Sequence, residues 1–88
     1  MKSVYLIESI ESKDPETVNR WHNRCVGKRC TVEFVEIDHE MQMRVENLKY
    51  SGGWTWFHTS PVVSIREDGG CLRVETWNSV YTLRGLSE

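Results

Sequence analysis

From residue 54 to residue 83, hydrophobic and polar side chains alternate in runs of period two. Trp54, Trp56 and His58 share one parity and Thr55, Phe57 and Thr59 the other. Val62, Val63 and Ile65 follow, Leu72 and Val74 then alternate with Arg73 and Glu75, and Ser79-Val80-Tyr81-Thr82-Leu83 closes the series. Successive side chains of a strand point to opposite faces, so the pattern predicts strands over residues 54–66, 71–77 and 79–84. Asp68-Gly69-Gly70 and Asn78-Ser79 punctuate these runs with residue types that tight turns favour, asparagine because it tolerates positive φ and bonds nearby backbone.

The first half of the chain carries the same signal more weakly, and one different signal. Val4 to Ile10 predicts a strand over residues 3–10. Asp14-Pro15-Glu16 has the chemistry of a helix start: a carboxylate for the free amides of the first turn, a proline preset for the first helical position, and an acid near the positive helix end. Val18, Trp21 and Cys25 recur at helical spacing with His22 on the flank, and Gly27 supplies a stop, which predicts a helix over residues 14–25. In a strand at residues 29–38, Val32 and Phe34 alternate with Thr31 and Glu33 until the pattern breaks at Val35, where a bulge or cover on both faces is expected. Asp38-His39-Glu40 reads as a connection, residues 42–50 as a strand with Met43, Val45 and Leu48 inward, and Ser51-Gly52-Gly53 as a turn. Strands at this spacing predict a mainly β fold, a small barrel or roll of about five to six strands with one short N-terminal α-helix, in a single domain over residues 1–88. Its expected core is Val18, Trp21, Val32, Phe34, Val45, Ile65, Leu72, Val74, Tyr81 and Leu83.

Composition narrows the function classes. Eleven Lys and Arg against thirteen Asp and Glu, a net charge of −2, are not the basic footprint of a duplex-binding protein. Three cysteines at positions 25, 30 and 71 do not make a disulfide framework, and no stretch has the apolar length of a membrane span; a soluble protein of the cytoplasm is expected.

Three residue groups offer binding chemistry. If Phe57 faces inward with Val63 and Ile65, then Trp54 and Trp56, with His58 on their face and Trp77 nearby, form an exposed aromatic ladder for a base, a sugar or a partner's loop; the simpler reading is that the tryptophans supply the core. Thr59, Ser60, Thr76, Asn78 and Tyr81 could converge in a polar groove for a small ligand, although a turn role explains Asn78 by itself. Arg20, Arg24, Lys28 and Arg29, beside His22, are the one basic concentration; helix-end electrostatics accounts for them, and an anion site is the sharper alternative.

Catalysis and metal binding have less support. His22, Cys25, Cys30, His39, His58 and Cys71 lack the spacing of a zinc knuckle, and no cofactor is expected. Ser60 beside His58 could nominally pair nucleophile with base, but no oxyanion loop or orienting acid accompanies them, so no enzymatic activity is expected. The acids Glu33, Glu36, Asp38, Glu40 and Glu46 read as a solvated strand face, or more sharply as a mimic of nucleic-acid charge.

The phrase His58-Thr59-Ser60-Pro61-Val62-Val63, followed by Thr76-Trp77-Asn78-Ser79-Val80-Tyr81-Thr82-Leu83, resembles the ending of small uncharacterised phage and mobile-element proteins. The resemblance runs from about Gly27 to Leu83 and carries no catalytic residues. It implies an SH3-like barrel and a non-enzymatic binding module, an inhibitor of a host defence protein acting in the host cell cytoplasm. The alternatives are a barrel that binds single-stranded nucleic acid and one that sequesters a small ligand such as a nucleotide; no membrane partner is expected.

Overall fold

The computed structural model describes residues 3–14, 20–46 and 52–86, and only the backbone of residues 20 and 21. The fold is mainly β. Six strands close into an antiparallel barrel in chain order: β1 (Val4–Ser12), β2 (Arg29–Phe34), β3 (Glu40–Glu46), β4 (Trp54–Asp68), β5 (Cys71–Thr76) and β6 (Ser79–Gly85), with β6 paired back onto β1. One short helix, α1 (Arg20–Cys25), lies between β1 and β2. Lys13 and Asp14 are bent, and Pro15, Glu16 and Val18, on which the expected helix start also rests, fall outside the described residues.

Alternation fills the barrel. Met41, Met43 and Val45 of β3, Val62 of β4, Leu72 and Val74 of β5, and Tyr81 and Leu83 of β6 are buried together with Ile7, Cys25 and Cys30. Val32, expected in the core, packs against it half-buried. Trp21 and Leu48 fall outside the described side chains.

Two expected core residues are on the surface, and each follows a slip in register. The β2–β3 pairing shifts between Val32 and Phe34, two residues before the break expected at Val35. The shift turns Phe34 outward, 40% exposed and opposite Gln42, and β2 ends there rather than at residue 38. In β4 the slip lies between Val62 and Ser64. A bulge bends its strand, and here the first half of β4 pairs with β3 while the second half pairs with β5. Ile65, and Val63, which the aromatic-ladder reading set inward with Phe57 as its condition, run past the packed interior and are exposed, whereas Phe57 does pack on the core.

The turns follow their residue types. Gly69 and Gly70 take φ of 57° and 83°, the positive values a two-residue hairpin turn with right-handed twist demands. Gly27 (φ 87°) ends α1, and its N–H donates to the Ile7 carbonyl at 2.8 Å, tying the helix end to β1. Asn78 sits in the β5–β6 turn without a positive φ; among the described non-glycine residues only Asp38 has one, 71°. No described helix is long and apolar enough to cross a membrane.

Candidate functional site

The aromatic strand is on the outside. β4 alternates exposed Trp54, Trp56 and His58 with half-buried Thr55 and Phe57 and buried Thr59. Trp54 is 44% and Trp56 48% exposed, so the reading that these tryptophans supply the core is wrong. The inward positions are already filled by Met41, Met43 and Val45 of β3 and by the ring cluster of Phe57, Tyr81 and His22, with centroids 5.9–6.5 Å apart. Burial pushes the Tyr81 hydroxyl up to about 12 and lowers His22.

Cross-strand register builds a continuous face around the ladder. Thr31, Arg44 and Trp56 form one row across β2, β3 and β4, and Phe34, Gln42 and His58 the next. Arg44 lays its guanidinium over the Trp56 ring, 4.5 Å from its centre, a cation–π stack. His58 tilts beside Trp56 at 6.4 Å, and His39 meets the edge of Phe34 at 5.9 Å. Phe34, Gln42 and Arg44 were not among the expected site residues: parity alone makes Arg44 outward, but its position against Trp56 depends on a long-range register. Trp77, 66% exposed, sits in the turn after β5, and its N–H donates to the Pro61 carbonyl, so it marks the far end of the same β4 segment.

Charge on this face is largely internal. Arg29 grips Glu46 with two bonds, Nε to Oε2 at 2.5 Å and Nη2 to Oε1 at 2.6 Å, and this pairing pulls the Glu46 carboxyl below the usual range. Thr31 donates to Glu33 at 2.6 Å, and Glu40 stands 4.0 Å from His58 Nδ1. Exposed Glu36 and Asp38 have no cationic partner among the described residues and give one end of the face an acidic rim.

The polar groove does not form. Thr59 is buried, accepting from Met41 N–H at 3.0 Å and donating to the Ser60 carbonyl at 2.7 Å. Thr76 is also buried, and its hydroxyl clasps the backbone of Ser79. Tyr81 is buried too, and Ser60 Oγ accepts from Asn78 N–H at 3.2 Å. These hydroxyls hold the barrel together, because buried polar groups need partners. Of the five, only Asn78 lines a surface recess, of about 420 Å³, together with Lys13, Asp14, His22 and Trp77.

The basic concentration is described in part, and one of its members is engaged elsewhere. Arg29 belongs to Glu46, Lys28 is half-buried, Arg24 is exposed, and the Arg20 side chain lies outside the described atoms. Cys25 and Cys30 are core residues, their thiols raised to about 11 and about 12 by burial, while Cys71 is half-buried beside Glu8. Among the described residues no three His, Cys, Asp or Glu side chains gather as metal ligands. His58 and Ser60 share a strand face without a hydrogen bond between them.

No protein-family model, no curated protein and no solved structure matches this chain, so its function must be sought in the chemistry of the aromatic face itself.

Proposed function

We propose that the chain is a non-enzymatic binding module that docks a protein partner on the outer face of β2–β4 through Trp54, Trp56, Arg44 and Phe34. The observation that carries this reading is the stacked Arg44–Trp56 pair beside exposed Trp54 on a hydrogen-bonded sheet. Tryptophan and arginine dominate interface hot spots, and side chains already held by packing lose little entropy when a partner arrives. The acidic rim of Glu36, Asp38 and Glu40 favours a partner with basic residues around an apolar pocket, and disfavours a phosphate backbone. A phage or mobile-element setting, with a host defence protein as partner, rests on the C-terminal resemblance alone.

The test is capture from bacterial lysate by the tagged chain and by a Trp54→Ala, Trp56→Ala variant. A partner retained by the first and lost by the second, with the far-ultraviolet spectrum unchanged, supports the reading. Binding of a mixed-sequence single-stranded oligonucleotide at micromolar protein, with a steep salt dependence and loss in the same variant, would replace it with the nucleic-acid alternative.

A further inference from the structure

β4 loses one of its two neighbours halfway along. It is paired with β3 as far as Pro61, and Val62 is then met by a corner of the chain: Asp38 N–H donates to the Val62 carbonyl and Val62 N–H to the His39 carbonyl, each at 2.8 Å. Beyond Val62 the strand is bonded, among the described residues, to β5 alone, and residues 63–68 are all exposed. The two-residue Gly69-Gly70 turn makes Asp68 and Cys71 a hydrogen-bonded pair, and alternation then makes Arg66 and Arg73 one as well. The N–H and C=O groups of Ile65 and Glu67 therefore point away from β5, toward solvent. Such an edge is a template for another strand.

The side chains along it select the strand. Arg66 and Arg73 stand directly opposite each other on the outer face, and neither has an ion-pair partner among the described residues. Like charges in that position oppose sheet formation. Of the acids on this face, Glu75 is held by Lys13 and by the Ser64 hydroxyl, and Asp68 lies two residues along the strand from Arg66. Ser64, Arg66, Arg73, Glu75 and Val80 enclose a shallow depression of about 170 Å³, room for a carboxylate. On the other face of the strand, Ile65 is an exposed apolar contact.

We infer that the open edge of β4 at residues 63–68 accepts an extended segment of a partner protein as an added strand, one that alternates acidic and apolar side chains. The acidic side chains neutralise Arg66 and Arg73, and the apolar ones cover Ile65. A second copy of this chain is a poor occupant. Two-fold pairing of the edge centred on Ile65 leaves Arg66 beside a serine; centred on Arg66 it stacks arginines, and centred on Glu67 it opposes glutamates. Centred on Ser64, it collides with the Asp38–His39 corner. This edge is separate from the aromatic face, so the inference stands or falls independently of the proposed function.

The test titrates the ¹⁵N-labelled chain with a capped hexapeptide alternating valine and glutamate, and with its valine–lysine counterpart. The glutamate peptide is expected to shift amides of residues 63–68 and 71–75, to slow exchange at Ile65 and Glu67 at least tenfold, and to bind at least tenfold more tightly than the lysine peptide. Arg66→Ala with Arg73→Ala should abolish that preference. Ile65→Pro, which removes an N–H that β5 does not use, should abolish binding while Ile65→Ala retains most of it. Equal binding of the two peptides, shifts confined to the Trp54–Trp56 face, or no binding at millimolar peptide would overturn the inference. Slow, concentration-dependent exchange at Ile65 and Glu67 in the free chain would overturn it in favour of self-association.

Discussion

Replacing Thr76 by valine separates a structural hydroxyl from a ligand-binding one. Thr76 is fully buried; its hydroxyl donates to the Ser79 carbonyl and accepts from the Ser79 N–H, both at 3.1 Å, and Ser79 is itself buried. Valine keeps the shape but removes both bonds and strands two backbone groups out of reach of water. Each lost bond costs about 1 kcal/mol, and an unsatisfied buried group about 1–3 kcal/mol, partly offset by the more favourable burial of a methyl. A net destabilisation of about 2–3 kcal/mol follows. An entropy of unfolding near 2.1 cal/mol/K per residue gives about 185 cal/mol/K for this chain, so Tm should fall by about 11–16 °C. Thr76→Ser retains both bonds and loses a methyl, about 1 kcal/mol or about 5 °C. Thermal unfolding followed by circular dichroism at 218 nm measures all three proteins. The diagnostic result is the order: wild type, then serine, then valine. A valine variant as stable as the serine variant would show that the clasp contributes nothing and would return Thr76 to the list of residues kept for a ligand.

Other consequences are checked by simpler measurements. Trp56→Ala removes an exposed ring and its Arg44 stack, and should cost no more than about 1 kcal/mol in urea unfolding, because the indole contributes little to the core. Cys25, Cys30 and Tyr81 are raised to about 11, 12 and 12 from ordinary values of 9.0, 9.0 and 10.0. Their contribution to stability is present below the unfolded values and lost as pH rises through the folded ones, so urea midpoints should fall from about pH 9 upward. A chromogenic thiol reagent at pH 8 should accordingly titrate Cys71 first, leaving Cys25 and Cys30 unreactive until the chain unfolds. On the acid side, His22 is lowered by burial, and Glu46 and Glu75 by their hydrogen bonds to Arg29 and Lys13. Stability should decline first below pH 6.5 as His22 charges and again below 4.5 as the carboxylates protonate, and Glu46→Gln should weaken the second decline.

The sequence by itself determined the mainly β class, the approximate spans of most strands and the positions of turns such as Gly69-Gly70. Those are properties of period two and of glycine, set within a few residues of each other: Trp54 to Thr59 alternates, and Gly69-Gly70 can turn, whatever the rest of the chain does. It also held the parity that puts Trp54, Trp56 and His58 on one side, but not which side is inside. Tertiary structure decided that, because Met41, Met43 and Val45 fill the interior first and leave the indoles to solvent. The misplacement of Phe34 has a related origin: a bulge costs one residue and reverses the parity after it, and where it falls depends on the partner strand. Ile65 keeps the face of its partner Val74 but lies beyond the packed interior, which only the closed barrel delimits. The polar groove failed for a related reason: hydroxyl-bearing residues are alike in sequence whether they meet a ligand or, as Thr59 and Thr76 do, the backbone of their own barrel. Arg44 against Trp56 and Arg66 against Arg73 are visible only once registers are known, since nothing local records which residues far apart in the chain will stand opposite one another.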